Sequence, residues 1–328
     1  MALIPVTILT GFLGSGKTTL LKHILSEEHG KKIAVIENEC GEENIVQMSN
    51  GCICCTIRGD LVDALNELWE QRKDKKSSFD RVVIETTGVA NPGPVAQTFF
   101  MDDDVADHYV LDAVVTLVDA KHGQQQLNEH EEAQRQVGFA DQIFITKTDL
   151  VTPAEVDALR NRLMHMNPRA PIAGISNGVV PLNAVLDLKG VNLNAKLDIH
   201  PHFLEQEDHD HSAYGHDHSH DHHHHGHAGH TDRIQSFVFR SDKPFDHKKL
   251  EDCLGGILEV FGEKMLRYKG VLYVRGRSRK VVFQGVHQMM DSDSAGPWGA
   301  EPKQTRMVFI GIDLPKDTLL AGLEGCLA

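Results

Sequence analysis

The strongest constraint on the fold is an eight-residue run near the start of the chain. Gly11-Phe-Leu-Gly-Ser-Gly16-Lys17-Thr18 matches the pattern G-x-x-x-x-G-K-[ST]. An apolar stretch at 4–9 precedes it, and a helix-like stretch with Leu20, Leu21, Ile24 and Leu25 follows. Strand, glycine-rich turn and helix, in that order, are the context in which the pattern cradles phosphate. The glycines let backbone N–H groups turn toward phosphate oxygens, and the helix N-terminus adds its dipole. The residues expected to hold the phosphates are Gly11, Gly14, Ser15, Gly16, Lys17, Thr18 and Thr19. Lys17 would reach the outer phosphates, and the Thr18 hydroxyl would ligate magnesium. A glycine-rich turn that binds nothing is the bland alternative, and the full pattern in its context weighs against it.

Apolar runs at 4–9, 33–36, 82–84, 114–118 and 143–145 alternate with helix-like stretches at 61–72 and 153–166. Short apolar strands alternating with helices predict an α/β fold, a parallel sheet covered on both faces. A chain of 328 residues is too long for one ordinary core. Residues 1–199 are expected to form a nucleotide domain and 200–232 a histidine-rich linker. Residues 233–328 should form a smaller α+β domain, with strands near 234–239, 271–274, 280–286 and 307–312. Helices near 245–260 and 316–323 give the predicted order β-α-β-β-β-α.

Arg81-Val-Val-Ile-Glu85-Thr-Thr-Gly88 places a carboxylate at a strand end, where ligands of open α/β sheets gather. Glu85 is expected to act on magnesium or its water shell, and the Gly88 N–H to meet the terminal phosphate. Thr146-Lys147-Thr148-Asp149 follows another apolar strand. It is close to Asn-Lys-x-Asp, the usual guanine-reading pattern, with Thr146 in place of Asn. Asp149 would accept from guanine N1–H and the exocyclic amine, which adenine cannot offer, and the Lys147 stem would pack along the ring. The expected nucleotide is therefore GTP rather than ATP.

Six cysteines stand at 40, 52, 54, 55, 253 and 326. Cys52-Ile-Cys54-Cys55 is too dense for a disulfide framework in a chain of this size and suits zinc, cobalt or copper(I). In an extended chain Cys52 and Cys54 point to one side and Cys55 to the other, so a shared ion would need a turn. Upstream, Glu37, Glu39 and Glu42 supply carboxylates. Residues 209–230 hold eleven histidines, among them His209, His211, His216, His218 and His220, interleaved with aspartate and glycine. Such a stretch cannot form a core, and it should bind several cations loosely. The formal net charge of −14 argues against nucleic-acid partners. No run of about 18 or more apolar residues and no signal-peptide pattern occurs, so a cytoplasmic protein without a membrane partner is expected.

The phosphate loop running on into Thr-Leu-Leu, Val35-Ile-Glu-Asn-Glu39, Asn50-Gly-Cys-Ile-Cys-Cys55 and Ile84-Glu-Thr-Thr-Gly88 together resemble the CobW-type family of metal-handling P-loop GTPases. Arg267-Tyr-Lys-Gly270 and Val308-Phe-Ile-Gly311 resemble that family's C-terminal domain. Within the family the pattern is most similar to the zinc metallochaperone branch. The resemblance implies slow GTP hydrolysis, zinc binding at the C-x-C-C element and delivery of zinc to client metalloproteins. It maps the zinc ligands onto Glu37, Glu42 and Cys54, with Cys52 and Cys55 as close partners. Two departures stand out. Cys40 occupies a position where the family carries Phe, and the segment between Glu42 and Asn50 is short. Three rival readings are a passive zinc reservoir built on the histidines, a nickel or cobalt insertion GTPase, and a small-molecule kinase. Whether the chain forms homo-oligomers is left open.

Overall fold

The computed structural model describes residues 3–27, 30–37, 58–175, 179–188 and 232–328. The first part is a six-stranded sheet in the order β2-β3-β1-β4-β5-β6. Its strands are β1 (Ile4–Gly11), β2 (Ile33–Glu37), β3 (Arg81–Glu85), β4 (Tyr109–Asp119), β5 (Gln142–Thr146) and β6 (Ile172–Gly174). Every pairing in it is parallel. The central strand β1 is almost continuously buried, as a parallel strand covered on both faces must be.

Helices cover both faces. On one side α1 (Lys17–Ser26) buries Leu20, Leu21 and Ile24 against Leu9, Val83, Val115 and Phe144. Each of those three side chains contributes roughly 1.5–3 kcal/mol by leaving water. On the other side lie α2 (Arg58–Lys73), α3 (Pro92–Met101), the short α4 (Asp103–Ala106), α6 (Glu131–Phe139) and α7 (Pro153–Met166), with α5 (Gly123–Glu129) preceding α6. Helix α7 starts where its sequence dictates. Thr152 and Glu155 form a reciprocal capping box, and Pro153 occupies the first turn, where a missing N–H costs nothing.

The second part contains β7 (Ile234–Ser241), α8 (His247–Phe261), β8 (Met265–Leu272), β9 (Arg279–Val286), β10 (Met289–Pro297), β11 (Thr305–Ile312) and α9 (Lys316–Gly325). Its sheet is antiparallel, in the order β10-β9-β8-β11-β7. Two details correct the sequence expectation. The strand expected at 271–274 runs from Met265 to Leu272, and Val274 joins only an isolated bridge to Phe245. Arg267 and Lys269 made this stretch read as polar, yet both side chains are buried. A further strand, β10, was not expected at all. Its sequence is polar with Gly and Pro, as an edge strand tolerates, and the order becomes β-α-β-β-β-β-α.

Both faces of this second sheet are covered. Phe237, Phe283 and Phe309 pack against Leu250, Leu254 and Leu319 of the helices. Ile234, Leu266, Val286, Val308 and Ile310 join the core of the first sheet, with Val137, Phe139 and Met166. A buried ion cluster crosses this seam. The Asp141 carboxylate accepts from Arg267 Nη2 at 2.6 Å, from Arg169 Nη2, and from the Val114 N–H at 2.9 Å. Burial alone would raise the Asp141 pKa, but the two guanidiniums and the backbone bond outweigh it and hold the group below the usual carboxylate range. Burial in turn pulls Arg267 down to about 10 and Lys269 down to about 8, with Arg169 lowering Lys269 further. No helix among the described residues is long and apolar enough to cross a membrane.

Removing one partner of a buried pair leaves the others charged and uncompensated, at a cost of about 3–5 kcal/mol. Asp141→Asn should therefore lower the unfolding free energy in urea by that amount. The double change Asp141→Leu with Arg267→Met should recover only part of the loss, because Arg169 and the Val114 N–H still lose their acceptor.

Candidate nucleotide and metal site

Strand order places the phosphate loop at the point where connections diverge. From β1 the chain passes to β2 on one side, and from β3 it crosses to β4 on the other, which is where open α/β sheets bind ligands. Gly16 caps α1 with φ 99°, a left-handed conformation that a side chain would strain. Helix α1 has no side-chain cap and no acidic residue in its first turn, so its N-terminal dipole is left for an anion. Lys17 folds back over the loop, its Nζ donating to Gly11 O at 2.8 Å and Phe12 O at 3.3 Å. Burial lowers the Lys17 pKa while the nearby Glu85 carboxylate raises it in part. A bound phosphate would give this half-desolvated ammonium a stronger partner than two carbonyls.

Thr18 Oγ1 donates to Glu85 Oε1 at 2.9 Å. The two residues expected to serve magnesium thus touch across 67 positions of sequence. A hydroxyl, a carboxylate and phosphate oxygens form the hard donor set that Mg2+ takes. Thr86 Oγ1 donates to Thr10 Oγ1 at 2.8 Å, locking the end of β3 to β1 beneath the loop. Gly88 lies hard against the phosphate loop. A Cβ there would stand 2.7 Å from the Leu13 nitrogen and 2.8 Å from its Cα.

Sequence reasoning missed two glutamines that brace this contact. Gln136 Nε2, from α6, donates to Gly88 O at 3.1 Å and Ala90 O at 3.0 Å. Gln126 Nε2, from α5, donates to Leu13 O at 3.2 Å. Neither lies in a recognisable motif. The only sequence signal was an amide on an otherwise packed helix.

At the base end, Thr146 Oγ1 donates to Ser15 O at 2.8 Å, so the hydroxyl standing in the Asn position ties β5 to the phosphate loop. Lys147 sits at φ 55°, and its Nζ donates to Asp119 Oδ2 at 2.7 Å. Asp119, buried at the end of β4, also pairs with His122 Nδ1 at 3.1 Å and accepts from the Lys121 N–H at 2.8 Å. Burial would raise the Asp119 pKa, but bonds from Lys147, His122 and Lys121 outweigh it and lower it. Asp119 was absent from the expected site, although it stands directly in register with Thr146. Asp149 lies in a 3-10 turn, Thr148–Leu150, and is exposed.

Of the expected zinc ligands, Glu37 alone falls within the described residues. It ends β2 and is paired in register with Glu85 of β3. Glu42, Cys52, Cys54 and Cys55 lie outside the described residues, as do Cys40 and His209, His211, His216, His218 and His220. Among the described residues, no three His, Cys, Asp or Glu side chains group as a metal site. Cys253 and Cys326 pack in the core of the second part, and burial beside Cys253 pushes the Cys326 thiol up to about 12. A thiol held protonated in this way is a poor zinc ligand.

This fold and site define a P-loop nucleotide-binding protein with an appended antiparallel domain. The CobW/HypB/UreG nucleotide-binding domain matches residues 5–174, and the cobalamin synthesis protein cobW C-terminal domain matches residues 234–327. The chain is 39% identical to the zinc chaperone YjiA of Escherichia coli, over 98% of both chains. It is 31% identical to the zinc chaperone CobW of Pseudomonas aeruginosa, over 100% of this chain and 92% of that one. The crystal structure of Zn(II)-bound YjiA GTPase from E. coli superposes with a TM-score of 0.82 at 36% identity, over the whole of both chains. The chain belongs to the CobW/HypB/UreG family.

Gly88→Ala should force the β3 loop off Leu13 and weaken binding of a fluorescent GTP analogue at least tenfold. Gln136→Ala, which removes a brace but adds no clash, should weaken it less than Gly88→Ala does.

Proposed function

We propose that this protein hydrolyses GTP to GDP and phosphate and uses that cycle to hand zinc to client metalloproteins. The register pair Glu37 and Glu85 carries this reading. Glu85 hydrogen-bonds Thr18 at the nucleotide, and Glu37 stands one strand away, about 4.8 Å across the sheet. Like charges directly opposed in a sheet repel, so cations near either carboxylate relieve the pair. Glu42 follows five residues later, within roughly 17 Å of extended chain. The stretch that begins at Glu37 thus lies beside the carboxylate proposed to serve magnesium and leads within a few residues to the next proposed zinc ligand.

In this reading the phosphates sit on residues 14–19, with Lys17 between the outer phosphates and Gly88 N–H toward the last. Thr18 and Glu85 hold magnesium, while Asp149 and Lys147 read guanine. Glu37, Glu42 and Cys54 hold zinc, with Cys52 and Cys55 beside them, and the histidines around His209, His211, His216, His218 and His220 gather ions. Residues 1–199 form the nucleotide unit, 200–232 the histidine-rich linker and 233–328 the unit that meets clients. Two zinc-chaperone relatives that match over nearly their whole length, and the zinc-bound crystal structure of one of them, YjiA of Escherichia coli, support this reading.

Turnover of GTP should change when one equivalent of zinc is added. The change should vanish in a chain with Cys52, Cys54 and Cys55 all replaced by alanine. If both proteins ignore zinc, the two sites are independent and the histidine reservoir becomes the better reading. Separately, Asp149→Asn should move base preference from guanine to xanthine, because the amide offers a donor to the xanthine C2 carbonyl where the carboxylate only accepts.

A further inference from the structure

His287 stands where a side chain is costly. It forms, with Gln288, the two-residue turn between β9 and β10, since Val286 pairs with Met289. Its φ is 53°, at the turn position that glycine usually fills. A residue held in this way costs of order 1–3 kcal/mol and persists only where its surroundings fix it. Those surroundings come from both parts of the molecule. The His287 side chain is buried, and burial lowers its pKa, so the ring is neutral. Nδ1 faces Glu263 O at 3.2 Å, so it carries the proton and donates, which leaves Nε2 as an acceptor. The far side of the ring enters the first part of the molecule. It packs on Phe139, the last residue of α6, with ring centroids 5.2 Å apart. It also lies against Gly93 in the first turn of α3. A Cβ on Gly93 would stand 2.7 Å from His287 Nε2 and 2.8 Å from Phe139 Cζ.

The notch that holds this ring also supports the loop 88–91. Gly88 abuts Leu13 of the phosphate loop. Gln136 of α6 donates to Gly88 O and Ala90 O, and Phe139 follows it by three residues on the same helix face. Asn91 Oδ1 accepts from the Gly93 N–H at 3.0 Å, which ties the end of the loop to α3. We propose that His287 is a positioning residue for GTP hydrolysis. By filling the notch between α3 and α6 it fixes the loop 88–91 against the phosphate loop, so the second part of the molecule sets the rate of turnover. The ring acts through Gly93 and Phe139, not on the nucleotide itself. This rests on the reading above that the Gly88 N–H meets the terminal phosphate, and on nothing about zinc.

A side chain that only filled the core would need none of the concessions made here. His287 takes a positive φ. Gly93 sits inside a helix, where glycine costs about 1 kcal/mol relative to alanine. Gly262 clears the other half of the turn, since a Cβ there would stand 2.4 Å from Gln288 Cγ. Three positions thus give up local stability to seat one turn against the support of the loop 88–91. The linkage is reciprocal. A nucleotide that moves Gly88 loads the turn by the same free energy with which the turn restrains Gly88.

The test is GTP turnover and nucleotide binding by the full chain carrying His287→Asn. Asparagine tolerates positive φ, and its amide replaces the bond to Glu263 O, but it is too short to fill the notch at Gly93. The kcat should fall at least fivefold. Affinity for GDP, which lacks the terminal phosphate, should stay within twofold of the parent. Combined with Gln136→Ala, the loss in kcat should be smaller than the product of the two single losses, because both changes free one loop. Gly93→Ala reaches the same notch from α3 and leaves the hairpin untouched, so it should give the same pattern. The inference is overturned if His287→Asn turns over GTP within twofold of the parent, or if its loss and that of Gln136→Ala multiply. It is equally overturned if GDP affinity falls along with turnover in both His287→Asn and Gly93→Ala, which would mean a general loss of structure. Gly88→Ala, measured alongside, separates this inference from the reading it rests on. If Gly88→Ala weakens binding of a GTP analogue while His287→Asn changes nothing, only the role of His287 falls. If Gly88→Ala has no effect, the reading of Gly88 fails and takes this inference with it.

Discussion

Parallel pairing of β1, β3 and β2 is the constraint on which the site depends. It sets Leu9 opposite Glu85 and Glu85 opposite Glu37. Leu9 stands two residues before the phosphate loop, so the register fixes how far Glu85 lies from Thr18. A slip of one residue would send Glu85 to the other face of the sheet and break its 2.9 Å bond to the Thr18 hydroxyl. The register is secured by the buried runs of Val6, Ile8, Val82, Ile84, Val35 and Ile36, none of which exceeds 2% exposure. Chemistry at the strand ends is thus held in place by hydrophobic burial farther down the same strands.

A second constraint joins the two sheets. Asp141, at the entry to β5, gathers Arg169 from beyond α7 and Arg267 from β8 into one buried cluster. Strand β5 leads from that cluster to Thr146 and Lys147, which meet the phosphate loop and Asp119. The seam between the two parts and the residues proposed to read the base are therefore at opposite ends of one five-residue strand.

Much of this was legible in the sequence where a physical rule leaves few choices. The phosphate loop declared itself because glycine, lysine and threonine at fixed spacing have one use between a strand and a helix. Helix α7 was bounded correctly at 153–166 because Pro153 marks a helix start and the apolar face of Val156, Leu159 and Leu163 follows it. What escaped depended on long-range partners. Strand β8 was displaced because Arg267 and Lys269 look like surface residues until Asp141 is placed opposite them. Strand β10 was missed because a lone polar edge strand has no apolar alternation to betray it. Asp119, Gln126 and Gln136 carry no motif, and their roles arise only when β4, α5 and α6 close around the loop. The proposed zinc ligands Glu42, Cys52, Cys54 and Cys55 rest on residue type and family likeness, with Glu37 as their one anchor to the described fold.

The central claim is that nucleotide and zinc sites share one coupled element running from Glu85 through Glu37 toward Cys55. The most direct measurement is zinc affinity, by competition with a chromophoric chelator, in the GDP-bound protein and with a non-hydrolysable GTP analogue. Coupling requires the two affinities to differ, by roughly 5- to 150-fold for a typical linked pair of sites, and zinc must shift analogue affinity by the same factor. Equal zinc affinity in both nucleotide states would contradict the claim, however tightly each ligand binds alone.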